Sequence, residues 1–534
     1  VVLDLIFLPL SDALAPARSL STVVKQHTIP APKSRWFALS EESKADVAES
    51  SDVDFATDVY AERQDELIQS VLGYFDEQRL IFPELSSGEV TRLFSSLEYK
   101  KSEDGKLTAA HAAGSTLGAA ALVTGTTVGA GILALPAATA ASGFVPSSVA
   151  MVVAWAYMTM SGLLVAELSL NRFGETGRPG LGLLDLYESS MGKGWGMVGS
   201  AAYFFLHYAM MVAYIAQGGA NFDGFLNSLG LDAISSLPGS GQLLFAAFGG
   251  LAMYYAKPSL VENVNNLLVF GVFASFLAII GLGTGTADFG ALIDPSNQHP
   301  ENVLSTFPFI FLALVYQNIV PTVVAQLEGD RAKIVTAITT GTTIPLIMFL
   351  AWNAIILGNV PGKFTQMDSF DPVALLQRDS SSGEVLSTLV GCFSELALIT
   401  SLIGFVYGLL SALTDVFGLA IDGPGFQKWK PVLFAGVFLP PLVLSTSNNE
   451  IFYKALDYGG AFGVSTLFLL LPPIMVWKSR YNEDSPLLTK PMVGFGKFPL
   501  ATMMGAAGAL VIQQAIQKSG VLSFVQDLLL QSRI

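Results

Sequence analysis

In the stretch LVTGTTVGAGILALP, residues 122–136, three glycines and two adjacent threonines sit midway along an apolar run from about Leu117 to Ala141. Those residue types at that depth can present bare backbone to a polar ligand. Gly125, Gly129 and Gly131 each weaken a helix by roughly 1 kcal/mol relative to alanine, and they let backbone approach a ligand with no Cβ in the way. Unwinding between about 125 and 131 would start a second half-helix near Gly131. Its free amides and positive dipole end would then point into mid-membrane and suit a carboxylate. Thr126 and Thr127 add hydroxyls. The same letters also admit tight helix packing, because Gly125 and Gly129 form a GxxxG. GAGILA imitates a dinucleotide fingerprint too, but no soluble strand precedes it and no acidic residue follows at the required spacing.

A second run, TFPFIFLALVYQNIVPTVVAQLEGD, carries Tyr316, Gln317, Asn318 and Pro321 at its centre. Proline removes a helical hydrogen bond and clashes with the preceding turn; Gln317 and Asn318 can satisfy the freed groups or a substrate. Two interrupted spans at corresponding places in two halves of a chain are the best sequence pointer to a transport site.

Titratable groups inside apolar runs are costly and functional by default. Glu395, in CFSELALITSLIGF, lies deepest. Loss of water penalises the charged form of a carboxyl, which suits such a group to taking up and releasing a coupling proton. Pairing with a neighbouring span is the structural alternative. Thr400 and Ser401 follow on the same run, and His207 in FFLHYAMMVAYIAQ has the chemistry of a proton relay or of a packed, hydrogen-bonded side chain. Glu167, Asp415 and Asp457 lie nearer span ends and are expected to be structural or gating residues. Tyr203, Tyr208, Tyr214 and Tyr316 offer aromatic walls for a substrate, or ordinary packing.

The elements that must hold these residues are membrane helices. Of 534 residues 51% are hydrophobic and 13% charged, where a soluble domain has about 25% charged. About eleven spans are expected, near 115–141, 145–168, 197–222, 240–256, 263–284, 303–326, 335–357, 385–414, 432–447, 451–477 and 499–516, the fourth and ninth of them short. The interruptions fall in the first and sixth, so each opens a half of five spans, and an odd number per half inverts the second half relative to the first. Loops on the side of the N-terminal region and of the loop after span 2 carry twelve Lys/Arg. The opposite loops carry three, Lys363, Arg378 and Lys454. Lys/Arg excess marks the cytoplasmic side or its organellar equivalent.

Residues 1–40 are free of acidic residues from Ala13 to Ser40 and carry Arg18, Lys25, Lys33 and Arg35 among serines and threonines, the pattern of an organelle transit region or of a disordered tail. Residues 41–110 read as an acidic, soluble helical extension, with 17 Asp/Glu against 6 Lys/Arg between 41 and 104. The span-bearing domain is 111–534. The net charge of −15 argues against nucleic acid as a partner; the bilayer is the partner the composition demands, and the pattern sets no oligomeric state. The single cysteine, Cys392, allows no intrachain disulfide and no thiolate metal cluster. No HExxH, G-x-x-x-x-G-K-[ST] or G-x-S-x-G occurs, and four histidines are too scattered for haem, so an enzyme, a resident cofactor and a metal site are not expected. A channel would share the hydropathy pattern and differ in giving flux without counterflow exchange.

GTTVGAGILALP, TGRPGLGLLDLYESSMG, AYIAQGG, KPSLVENVNNLLVF and VPTVVAQLEGDRAKI…IPLIMFLAWNAIILG, in that order over about 115–515, resemble the hydroxy/aromatic amino acid permeases, the tyrosine- and tryptophan-specific permeases. The resemblance implies an all-α, leucine-transporter-like fold of the amino acid–polyamine–organocation superfamily, five plus five inverted helices with an eleventh. It implies secondary uptake of an aromatic amino acid driven by a proton gradient, with no other cofactor, and an acidic position matching Glu395. In sodium-coupled relatives by fold a hydroxyl pair at the place of Thr400 and Ser401 helps hold the ion with span-1 carbonyls, which keeps sodium as the alternative. The chain departs from the compact bacterial members by its N-terminal extension and its longer 359–384 loop. Plant and algal relatives with such extensions are expected in plastid membranes, and otherwise the plasma membrane is implied.

Overall fold

The computed structural model describes residues 97–101, 107–111, 115–176, 182–359, 384–419, 424–447, 451–481 and 490–519. The expected transit region, and the acidic extension as far as residue 96, lie outside the described residues. What is described of the extension is an antiparallel hairpin, β1 (Leu97–Lys101) and β2 (Leu107–His111), with Leu97 opposite His111. The helical reading of the 41–110 extension therefore fails at 97–101 and 107–111, the part of it that is described. The sequence between the strands contains Asp104-Gly105, a dipeptide that favours hairpin turns.

The other described elements are helices. Ser115 caps α1 (Thr116–Thr127), its hydroxyl accepting from the Gly118 amide at 2.9 Å. The chain breaks and resumes as α2 (Gly131–Ala140), bent 56° from α1. Gly143, with φ +84°, turns the chain into α3 (Phe144–Thr176). A surface helix, α4 (Leu183–Met191), leads through Gly192 into α5 (Lys193–Ser228). Then come α6 (Ser240–Tyr255) and α7 (Pro258–Gly283), whose proline stands at the first helical position, where a missing N–H costs nothing. The second interrupted span is α8 (Val303–Ala313), a 3₁₀ turn at Gln317–Ile319, and α9 (Val320–Gln326). The Asp330 side chain caps α10 (Arg331–Gly358). Next are the unbroken α11 (Glu384–Val416) and α12 (Pro424–Ser445). The tenth span joins α13 (Ile451–Tyr458), a π-helix at Gly459–Leu470 and α14 (Leu471–Tyr481), and α15 (Lys497–Lys518) is the last.

Among the described residues eight helical runs are long and apolar enough to cross a bilayer, nine when bent α1–α2 counts as one. The chain is a multi-pass membrane protein. The two remaining expected spans are present as α6 and α12 and fall short of that measure. The 16 residues of α6 reach only about 24 Å, and α12 carries Lys428, Lys430 and three internal prolines.

Helices pack closely where side chains are smallest. A Cβ at Gly341 of α10 would lie 2.7 Å from Val123 Cβ and 2.8 Å from Ala120 O, so α10 lies directly on α1 there. Thr124 Oγ1 donates to Gly341 O at 3.0 Å across the same contact. Pro472 and Pro473 offer no N–H to the carbonyls one turn before them, and those carbonyls are met from α3 and α4. Tyr187 donates to Leu467 O at 2.9 Å, Ser161 donates to Phe468 O, and Tyr157 lies 2.9 Å from both Leu469 O and Met503 O.

Glu167 of α3 receives both Arg480 Nε and Nη2 of α14 at 2.7 Å and also the Met492 amide at 2.7 Å. The two side chains are 1% and 3% exposed, so this pair is structural and clamps three segments together. Breaking a buried pair from one side costs about 3–5 kcal/mol, whereas replacing both partners by apolar groups is often neutral. Glu167→Gln is expected to lower the thermal midpoint of the purified protein clearly, and Glu167→Gln with Arg480→Met to recover most of the loss. Equal midpoints for wild type and Glu167→Gln in a detergent melt would contradict the clamp.

Candidate functional site

The first break is short. Val128 is extended, at φ −81° and ψ 93°, and α2 begins at Gly131. The interruption is therefore Val128–Ala130, narrower than the expected 125–131. Gly125 remains inside α1, and a Cβ there would meet nothing within 4 Å. It makes no close helix contact, so the GxxxG packing alternative does not apply; Gly341 fills that role. Thr126 and Thr127 donate to Leu122 O and Val123 O of their own helix, each at 2.8 Å. Within the break, the Ala130 amide donates to Ser401 Oγ of α11 at 2.8 Å. Among the described residues no acceptor is found for the Gly129 and Gly131 amides. Two free N–H groups therefore crown the positive end of α2.

The second break spans Leu314–Tyr316, upstream of Pro321, which sits harmlessly in the first turn of α9. It leaves Pro295–Gln326 as a single crossing. Tyr316 and Gln317 are wholly buried. Tyr316 Oη donates to Met158 O of α3 at 3.0 Å, Gln317 Nε2 donates to the same carbonyl at 3.2 Å, and Gln317 Oε1 accepts from the Tyr316 amide at 3.1 Å. Of the two uses open to Gln317, the structure shows the first: it pairs backbone that the break freed. Gly162 makes room, since a Cβ there would lie 2.0 Å from Tyr316 Oη. Asn318 alone of this trio is exposed.

The breaks adjoin. A Cβ on Gly131 would stand 3.1 Å from Ala313 Cα, so the amide-rich start of α2 abuts the carbonyl-rich end of α8. The N-terminal, positive end of α2 and the C-terminal, negative end of α8 are thus neighbours. The profile of the tryptophan/tyrosine permease family matches residues 112–513. The chain belongs to that family.

The permease is 28% identical over 381 residues to a tryptophan-specific transport protein of Haemophilus influenzae, a match covering 69% of this chain and 88% of the relative. It is equally identical, over 378 residues and 68% and 88% of the two chains, to tyrosine-specific transport system 1 of the same organism. A tryptophan-specific transport protein of Pseudomonas aeruginosa is 27% identical over 406 residues, 74% of this chain and 94% of its own. Membership makes the protein a permease and not an enzyme.

Around the breaks of this permease, α5 and α11 supply the remaining candidates. Glu395 is partly buried on α11, with Asn221 of α5 as its hydrogen-bonding neighbour. Asn221 was not foreseen, although Gln217 and Asn221 are polar at helical spacing and Gln217 Nε2 donates to Asn221 Oδ1 at 3.1 Å. Thr400 turns its hydroxyl onto Leu396 O and Ala397 O at 2.9 and 3.1 Å, so of the hydroxyl pair only Ser401 reaches the first break. Tyr214 directs its hydroxyl at Ser401 and packs edge-on against Phe405 at 5.5 Å. His207 stacks on Tyr203 at 3.8 Å, and its Nδ1 lies 2.9 Å from Tyr203 O. A carbonyl only accepts, so Nδ1 carries a proton, and Nε2 faces Gly408. Tyr208 donates to Gly436 O at 2.9 Å, tying α5 to α12 away from the breaks. Asp457 pairs with Lys518 of α15, while Asp415, at the end of α11, is exposed.

Two glycines test this geometry in opposite senses. Gly162→Ala must expel Tyr316, and overpacking of that kind costs about 1–3 kcal/mol. Gly125→Ala adds a methyl to open space in a helix and is expected to leave stability unchanged or higher, by up to about 1 kcal/mol. Thermal melts of the two variants should diverge, and equal loss in both would refute the placement of the second break.

Proposed function

We infer that this permease is a secondary active transporter of aromatic amino acids, of the tyrosine and tryptophan class, working by alternating access and coupled to protons. The observation that carries the reading is the junction of the breaks at Gly131 and Ala313. The substrate carboxylate sits on the Gly129 and Gly131 amides, and its ammonium on carbonyls at the end of α8. Support for the substrate class comes from relatives named for tryptophan- and tyrosine-specific transport. The interruptions fall in the first and sixth spans, which favours a five-plus-five inverted architecture followed by α15. The basic, hydroxyl-rich stretch before residue 41 favours a plastid membrane.

Glu395 is the coupling group. It stands on α11 six residues before Ser401, about 9 Å along the helix, and its carboxyl keeps some access. Coupling follows when protonation of Glu395 and binding of substrate favour the same conformer, since a ligand shifts an equilibrium only by its differential affinity.

Uptake of radiolabelled tyrosine, tryptophan, phenylalanine and leucine into proteoliposomes, under separate proton and sodium gradients, tests the reading. Tyrosine or tryptophan should accumulate under the proton gradient, and accumulation under sodium alone would move the coupling to that ion. Glu395→Gln is expected to abolish concentrative uptake while counterflow exchange persists; undiminished accumulation in that variant removes Glu395 from the mechanism. Gly131→Val, whose side chain would start 3.1 Å from Ala313 Cα, should insert normally and lose saturable binding, and wild-type affinity would contradict the carboxylate contact.

A further inference from the structure

The Ala130 amide lies between the two free amides of the first break, yet it is already taken, by a side chain 271 positions away. Its acceptor is Ser401, on the unbroken 33-residue α11, which packs along both α5 and α7. The contact is close on both sides: a Cβ on Gly129 would fall 2.8 Å from Ser401 Oγ, so only glycine leaves room for this hydroxyl. A serine hydroxyl has two lone pairs and one proton. One lone pair receives the Ala130 amide, and Tyr214 of α5 faces the same oxygen.

We propose that Ser401 is a positioning residue for the carried amino acid: by holding the Ala130 amide it fixes the break so that the Gly129 and Gly131 amides converge on one carboxylate. The inference rests on the permease reading above and adds to it the device that sets the amides' geometry. Without the latch, Ala130 would either stand unpaired in a dry site, at a cost, or rotate into the ligand's place. Either outcome misaligns Gly129 and Gly131. The hydroxyl also ties the broken helix to a continuous one, so the break is ordered before substrate arrives, and binding forgoes less conformational entropy. Tyr214 supports Ser401 from behind, and its loss should act in the same direction more weakly.

The test uses the full chain in nanodiscs and proteoliposomes. Hydrogen exchange of peptides covering 126–135 reads the latch directly, whatever the cargo. Ser401→Ala should speed exchange there roughly two- to tenfold, the range one net hydrogen bond spans, and Ser401→Thr should restore protection. In uptake assays with tryptophan and tyrosine, Ser401→Ala should raise KM by a similar factor with the maximal rate within about twofold, and threonine should rescue it. Unchanged exchange in Ser401→Ala, a fall in maximal rate with KM unmoved, or no rescue by threonine would overturn the proposal. Faster exchange in a protein that transports neither amino acid would uphold the latch and sink the substrate reading instead, which keeps the two failures apart.

Discussion

Hydrocarbon offers no hydrogen bonds, so backbone that leaves a helix inside the bilayer must be paired by protein or left to face a ligand. The rest of this structure follows from how that debt is settled at two places. At the second break it is settled by protein. Tyr316 and Gln317 converge on Met158 O, and Gln317 returns its amide oxygen to the backbone of Tyr316. At the first break the Val128 amide turns back to Thr124 O and the Ala130 amide is held by Ser401, while among the described residues the Gly129 and Gly131 amides meet no acceptor. The asymmetry gives each break a different role. One is a fixed wall anchored to α3, and the other is the surface to which the proposed function assigns the substrate carboxylate.

The anchoring extends outward through small residues and hydroxyls rather than large apolar contacts. Gly341 brings α10 onto α1, Gly162 admits Tyr316, and a Cβ at Gly460 would lie 2.1 Å from Pro308 O, so the π-helical span lies directly on α8. Without a hydrophobic drive between helices in lipid, close approach and interhelical hydrogen bonds hold a bundle together. A 12-residue π-helix in the tenth span fits this economy. Pro472 and Pro473 supply no N–H just past its end, and the carbonyls at 467, 468 and 469 are acceptors for Tyr187, Ser161 and Tyr157. What the backbone loses in regularity it regains as bonds to α3 and α4.

Much of this was legible beforehand because lipid leaves few choices. Apolar runs near bilayer length located every major helix, and Gly129 with Gly131, and Tyr316 with Gln317, marked both breaks within a few residues. The legible part ended where composition is degenerate. GxxxG reads alike whether its glycines pack or unwind, and only the space around Gly125 and the Ser401 contact at Gly129 separate the two. Pro321 was grouped with Tyr316, Gln317 and Asn318 at the second interruption, but a proline in a helix's first turn disrupts nothing, and the break lies upstream, where Tyr316 and Gln317 find partners on α3. Long-range partners were not legible. Glu167 and Arg480 are 313 positions apart, and the sequence carries no ruler for such a pairing. The hairpin strands at 97–101 and 107–111 were missed because the helical reading of 41–110 ran past the Asp104-Gly105 turn signal.

The unbroken helix matters as much as the broken ones. α11 runs 33 residues without interruption and carries Glu395 and Ser401 on one rod, so on the coupled reading proposed above a change of charge at the first would reach the second without an intervening hinge. A rigid element cannot amplify a signal; it can only make two local preferences share one displacement. On that argument, proton and substrate need no contact with each other. It suffices that α11, held between α5 and α7, has one position in which Glu395 is neutral beside Asn221 and Ser401 sits where the Ala130 amide requires it. Moving such a two-state equilibrium from about 1:99 to 99:1 takes roughly 5.5 kcal/mol of differential binding. On the proton-coupled reading proposed above, the differential affinities of proton and substrate would add, because both would favour that one position of α11.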